Sequence, residues 1–260
     1  MRSMLMKTIG FLAAGIWLVA APVRADEIKV VTSGAFTAAY LEIIPAFERA
    51  THHTITTVNG ASMGSTPTSI PNRLERGESL DVVILADTAL DALIRSGKVV
   101  AGSRVDLVRS RIGMAVRAGA SKPDISTVAA LTRTLLQAKS VAFSDSASGV
   151  YVSTELLQRL GIADRVLPKS TRVLNEPVGA VVARGEAEIG FQQISELQPE
   201  KGIVVVGPLP ADVQKITVFS AGIVVGAKAP DAARALIAYL ASPAVAATIT
   251  KAGLEPAKAQ

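Results

Sequence analysis

The chain contains no cysteine. That excludes a disulfide framework, thiolate metal centres and a lipid anchor attached through a cysteine at the mature N-terminus. Aromatic residues are scarce, at 4% of 260 residues, and the basic residues are scattered singly. With neither a stacking platform nor a basic stripe, nucleic acid is not an expected partner. Histidine is limited to the adjacent pair His52 and His53, and adjacent residues do not share a helix face. No carboxylate cluster accompanies the pair, so it reads as a favourable charge at a helix end rather than a metal site. The serine-rich loops lie far in sequence from both histidines, which gives no support to a Ser-His-Asp triad. Neither G-x-G-x-x-G nor a Walker loop occurs, so no nucleotide is expected. No metal and no cofactor are predicted.

What the chain does have begins with a leader. Arg2 and Lys7 precede the apolar stretch from Ile9 to Ala21, and Val23-Arg24-Ala25 places small residues where a signal peptidase reads. Residues 1–25 are therefore expected to be a signal peptide cleaved before Asp26, which sends the mature chain to the periplasm. The apolar stretch is short of the roughly 20 residues that span a bilayer. Arg2, Lys7 and Arg24 leave with the leader, so the whole-chain charge of +5 falls to +2, from 24 basic against 22 acidic residues. About 235 residues remain, enough for one large core or two small ones.

Runs of β-branched residues alternate with helical patterns throughout. "IKVVTSG" reads as a buried strand before the helix "TAAYLEIIPAFERAT"; "HTITTVNG" and "LDVVILAD" are further strands, each followed by a helix, and "RIGMAVRAG" is strand-like. From "ISTVAALTRTLLQAK" the pattern restarts, with strands "SVAFSD", "STRVLNE", "AEIGFQQ" and "IVVVGPLP", a return strand "ITVFSAGIVVGA" and a final helix pair. This order predicts an α/β protein of two lobes, each a doubly wound, mostly parallel sheet flanked by helices. Crossings near Arg111 and Phe219 give a first lobe of residues 26–110 with 219–260 and a second of 111–218. Ligands in such sheets bind beyond the carboxyl ends of the strands. Here those loops are Thr32–Phe36, Gly60–Thr66, Ser144–Val150, Asn175–Gly179 and Gln192–Ile194.

Three helix starts, "TSGAF", "GASMGST" and "SDSASGV", are crowded with small hydroxyl residues. One such serine is ordinarily an N-cap. Three converging on one cleft would bind an anion, because hydroxyls and free backbone N–H groups meet at the positive ends of helices. Arg111, at the first crossing, could fork onto a carboxylate, and the plain alternative is a surface arginine. Arg73 reads in the same two ways.

The order of these motifs resembles the type II periplasmic solute-binding proteins, specifically the molybdate-binding-like group, over nearly the whole mature chain. The resemblance is carried by "VTSGAFTAAYLEIIPAFERATHHTITT", "GASMGST", "RGESLDVVILAD" and "VARGEAEIGF". It implies ligand contacts from Ser33, Ser62 and Gly149 and a backbone contact near Asn175. Gln193 stands where that group has a tyrosine, which argues against a compact tetrahedral oxyanion. The wording "GASMGSTPTSIPNRLERGE", "SRIGMAVRAG", "SDSASGVYVSTELLQRLGI" and "GEAEIGFQQISEL" is similar to a side branch that includes aconitate isomerases. That branch implies an exported, cofactor-free enzyme, expected as a monomer, closing on a small polycarboxylate. Its binding residues would be Ser33, Gly34, Ser62, Met63, Arg111, Ser146, Ser148, Gly149, Val150, Asn175 and Gln193. A shift of the aconitate double bond needs a group to take a proton and return one, and Glu176 and Tyr151 are the candidates. Each has a plain reading, Glu176 as a helix-start residue and Tyr151 as core packing. The competing function is a receptor that binds a small carboxylate or oxyanion and delivers it to an ABC permease.

Overall fold

The computed structural model describes residues 25–257, so the expected signal peptide, apart from Ala25, lies outside the described residues. The chain opens with β1 (Glu27–Thr32), α1 (Gly34–Thr51), β2 (Thr54–Asn59), α2 (Ile70–Glu75), β3 (Val82–Ala86) and α3 (Asp87–Arg95). β4 (Val105–Arg117) leads to α4 (Val128–Gln137) and β5 (Val141–Ser144). A helical run follows, made of α5 (Ala147–Tyr151), a π turn at Val152–Leu156 and α6 (Leu157–Arg159). Next come α7 (Ala163–Val166), β6 (Ser170–Val173), α8 (Val178–Ala183), β7 (Ile189–Gln193), α9 (Ile194–Leu197) and β8 (Ile203–Pro208). β9 (Ile216–Ile223), α10 (Pro230–Leu240), α11 (Ala246–Lys251) and β10 (Glu255–Pro256) complete it.

The strands follow the order β2-β1-β3-β9-β4-β7-β5-β6, with β8 and β10 also paired to β4. β1 runs parallel to β2 and β3, and β5 runs parallel to β6 and β7, while every pairing of β4 and β9 is antiparallel. The expected two-lobed α/β arrangement is therefore two parallel trios joined through antiparallel strands. β4 is longer than the sequence suggested. Its first part, Val105 to Arg111, pairs with β9, and its second part, Ile112 to Val116, pairs with β7. One strand thus serves both halves, and the alternation "VDLV" ahead of Arg111 is its beginning. The return strand β9 enters the first half at Ile216, ahead of Phe219.

The two inner strands of each trio are buried on both faces, as crossover helices require, while the edge strands β2 and β6 are largely exposed or half-buried. On β3, Val82, Ile84 and Ala86 join a core with Phe36, Tyr40 and Phe47 of α1, whereas Val83 and Leu85 pack on the other side with Leu90 and Leu93 of α3. The second half repeats the device: Val141 and Phe143 face one core, and Ala142 meets Val178 and Val182 of α8 on the other. Alternate residues of a strand point to opposite faces, so an uninterrupted apolar run serves two layers. The carboxyl ends of β1, β2, β5 and β7 are then free to meet at one cleft.

Candidate functional site

At the end of β1 the chain turns through Ser33 into α1. Ser33 holds the N-cap position in extended conformation (φ −87°, ψ 157°), yet its hydroxyl makes no capping bond. It is 2% exposed and has no hydrogen-bond partner. A buried unpaired hydroxyl costs on the order of 1–3 kcal/mol, a cost that a ligand group can relieve. The first turn of α1 carries no acidic side chain, so nothing of its own offsets the positive end of this 18-residue helix. Across the cleft, Ser146 precedes α5 and also makes no side-chain cap bond. Ser148 Oγ lies 3.1 Å from Ser144 Oγ. Gly149 packs so closely on the end of β5 that a Cβ there would collide with the Ser144 carbonyl oxygen. Ser33, Gly34, Ala35, Ser146, Ala147, Ser148, Gln193, Glu196 and Phe219 line one narrow cavity of about 10 Å³, drawn tight between the two halves.

The other wall comes from the end of β7. Gln193 donates from Nε2 to Thr217 Oγ1 at 3.1 Å, and its Oε1 is buried without a partner. Gln192 points the other way, accepting the Val178 N–H at Oε1 and donating from Nε2 to Glu196 Oε1 at 3.0 Å. Gln193 is the N-cap of α9 and Glu196 its third residue, the spacing at which a glutamate reaches back to the cap N–H. Glu196 makes that bond. It also crosses the cleft: a Cβ on Gly34 would collide with its carboxyl group. Desolvation pushes Glu196 up to about 7, against the two hydrogen bonds, which favour its charged form. Of the residues lining the cavity, Glu196 alone titrates near neutrality.

A protonatable carboxyl set between two serine-bordered helix starts and an amide suits recognition of a small anion with chemistry at its centre. The profile of the bacterial extracellular solute-binding proteins matches residues 28–255. The chain belongs to this family. Among characterised relatives, an aconitate isomerase from Pseudomonas sp is 48% identical over 249 residues, covering 96% of this chain and 94% of that one. The molybdate-binding protein ModA of Azotobacter vinelandii is 27% identical over 240 residues, covering 89% and 90% of the two chains. The solved Azotobacter vinelandii periplasmic molybdate-binding protein superimposes with a TM-score of 0.69 at 21% identity, over 90% of this chain and all of that one. A periplasmic thiamin-binding protein gives 0.67 at 15% identity, over 96% and 88%.

Within this solute-binding fold, the residues singled out from sequence divide into two groups. Ser33, Gly34, Ser146, Ser148 and Gln193 line the cavity, with Gly149 fixing the turn behind them. The others stand apart from it. Ser62 is buried, and its Oγ accepts the Ala86 N–H at 2.9 Å, tying the loop after β2 to the end of β3. Gly60 to Gly64 reads glycine-x-serine-x-glycine, but no imidazole serves this serine: His52 caps α1 and His53 Nδ1 accepts the Asp26 N–H. Met63 packs beside Val58 against the core under α2 and α3, while Val150 and Asn175 are exposed.

Both expected proton-transfer residues, and the expected arginine clamp, are placed elsewhere. Glu176 is exposed and held by Arg184 through two bonds of 2.8 and 2.9 Å, which lower its carboxyl below the usual range. Tyr151 is buried in the second core, where its hydroxyl donates to the Val213 carbonyl at 2.6 Å and desolvation raises it. Arg111 lies half-exposed on β4 and pairs with Glu255 at 2.5 Å. Arg73 braces the loop after β2, reaching the Asn59 and Thr68 carbonyls and both oxygens of Glu78. Glu196 was missed because its spacing from Gln193 is that of a local cap. The signal for it was the pair of glutamines ahead of it at a strand end.

Proposed function

We propose that this protein interconverts cis- and trans-aconitate by a 1,3-proton shift, with Glu196 as the group that takes the proton and returns it. The observation that carries this reading is the Glu196 carboxyl, poised near neutrality inside the cavity. As a carboxylate it removes a proton from the methylene carbon. The C–H electrons then form the new double bond to the central carbon, and the old double-bond pair takes a proton from Glu196 at the far carbon. The shift is redox-neutral and calls for no electron acceptor. Charge spreads from the allylic carbons onto the neighbouring carboxylates as the C–H bond breaks. The Ser33 hydroxyl, the first turn of α1 and the Ser146–Ser148 turn are set to stabilise that charge. With its amide turned so that Oε1 accepts from the Thr217 hydroxyl, Gln193 donates from Nε2 to a substrate carboxylate and orients it. The similarity to a Pseudomonas aconitate isomerase supports the same reaction.

The substrate-binding residues on this reading are Ser33, Gly34, Ser146, Ser148, Gly149 and Gln193. The lobes are assigned as residues 26–111 with 216–260 and residues 112–215, moved by one to three residues from the boundaries expected from sequence because β4 and β9 pair from Arg111 and Ile216, and the mature monomer works in the periplasm after loss of its leader. The deciding experiment incubates purified protein with cis-aconitate and follows the trans isomer by chromatography. Product formation by the wild type, reduced about 10³-fold in Glu196→Gln with substrate binding retained, is the expected result. A wild type that binds aconitate and forms no trans isomer is a transport receptor instead.

A further inference from the structure

The two halves touch at a second place that the chemistry above does not use. Asp145 follows the end of β5, is 5% exposed, and accepts the Ser65 N–H at Oδ2 (3.1 Å) and the Arg172 guanidinium at Oδ1 (2.8 Å). Ser65 belongs to the loop after β2, and Arg172 belongs to β6. β2 and β5 are separated in the sheet by β1, β3, β9, β4 and β7, so this contact is made across the cleft. Gly64 makes it possible. Its φ of +109° is in the region that favours glycine, and a Cβ there would collide with the Asp145 carboxylate. Both partners are held rigidly. Arg73 grips the two ends of the loop at Asn59 and Thr68, and the Asp145 N–H donates to the Val173 carbonyl at 2.9 Å.

We propose that Asp145 is a latch that holds the cleft closed, a positioning residue acting through the Gly64–Ser65 turn. Arg172 neutralises the carboxylate on one side, so the other oxygen can be buried against a backbone N–H of the opposite half. Ser146 to Ser148 follow Asp145 directly in the chain, and closure at the latch sets them opposite α1. The proposal rests on the reading that this cleft is the reactive site, but the latch itself is readable without substrate.

The test compares wild type, Asp145→Ala and Asp145→Asn by amide hydrogen exchange at Ser65, by affinity for the saturated tricarboxylate propane-1,2,3-tricarboxylate, and by turnover of cis-aconitate. Ser65 is expected to be protected in the free wild type and to exchange about tenfold or more faster in Asp145→Ala. Affinity for the tricarboxylate should fall about tenfold in that variant, because less of the protein is in the closed form that binds. The midpoint of the pH–rate profile should stay where Glu196 puts it, which a loss of the proton-transfer group would move. Asp145→Asn should recover most of the Ser65 protection, since its amide oxygen accepts the same N–H. If the alanine variant fails to fold, Gly64→Ala takes its place: its methyl group collides with the Asp145 carboxylate, so it should speed Ser65 exchange and weaken tricarboxylate binding in the same way, and wild-type values for both overturn the latch. Equal Ser65 exchange in wild type and Asp145→Ala, or wild-type affinity in the alanine variant, overturns the latch. A wild type that protects Ser65 yet leaves both aconitate isomers unchanged removes the isomerase reading and supports the latch.

Discussion

The two halves face each other with opposite endowments. At two of the places where they touch, the first presents glycine, Gly34 at the start of α1 and Gly64 in the loop after β2, and the second presents a carboxyl, Glu196 and Asp145. Room is supplied by one side and reactive or linking chemistry by the other. A glycine in the first half is therefore as much a part of the site as the side chain it admits. The carboxyls also differ from each other: Asp145 has an arginine and a backbone N–H, whereas Glu196 has an amide, a backbone N–H and no cation among its bonding partners. Glu196 therefore has no cation to offset the desolvation that raises it.

The largest expected effect comes from the second-half side of the Glu196 contact. Beyond the loss of turnover in Glu196→Gln, the proposed role of Glu196 requires the rate of the wild type to climb with pH on an acid limb centred at about 7 in kcat/KM, since a carboxyl takes a proton only when ionised. The same residue lowers stability. Its folded value lies above the ordinary 4.5, so as pH rises from 4.5 towards 7 the unfolded chain releases a proton that the folded chain keeps. Stability therefore falls across that window and levels off above it. Glu196→Gln removes this loss, and thermal melts should find it more stable than wild type by about 3 kcal/mol at pH 8 and equal at pH 4. A variant less stable than wild type at pH 8 would mean that the carboxylate is well accommodated and not poised.

Gly34→Ala attacks the same contact from the first half. Alanine is the better helix former, and Gly34 is the first residue of α1, so the fold should not suffer. The new methyl group would push the Glu196 carboxyl out of place. Turnover is expected to fall about 10²-fold, the cost of misplacing a catalytic group by about an ångström, with an unchanged melting temperature. Full activity in Gly34→Ala would show that Glu196 has freedom to work from another position. Ser33→Ala should have a smaller effect, about tenfold in kcat/KM, because it removes one hydrogen bond to a charged group. Its stability should hold or rise, since the hydroxyl is unpaired in the free protein.

How far the sequence reached follows the same division. Strand and helix order, and the serines at the ends of β1 and β5, were legible because they are local patterns: an apolar run, a turn of small residues, then a helical period. β4 was cut short at Arg111 because a single strand that belongs to two sheets changes its pairing partner midway. The place of Glu196 in the cavity was illegible since its neighbour across the cleft, Gly34, lies in the opposite half and far away in the sequence. Asp145 stood inside the quoted serine stretch, but nothing local marks a carboxylate whose partners are Ser65 and Arg172.

The smallest expected effect is at Glu176, and it is informative for that reason. Its position ahead of Pro177 at a helix start is the kind of place where a carboxylate meets a ligand, and Asn175 and Gly179 beside it strengthen the pattern. Arg184, at the end of α8, turns that carboxylate outward instead, and Glu186 shares the same guanidinium. An exposed ion pair of this sort is screened by solvent and contributes little. Glu176→Gln should therefore leave kcat and KM within about twofold of wild type, as expected for a surface residue away from the cavity. Measured beside Glu196→Gln, the pair forms a direct contrast: two glutamates of the second half, the same isosteric change, and effects separated by about two to three orders of magnitude. If the ranking were reversed, with Glu176→Gln inactive and Glu196→Gln fully active, Glu176 would have to leave Arg184 and enter the cleft during turnover. The cavity seen between α1 and β7 would then be a closed resting form with the wrong carboxyl inside it.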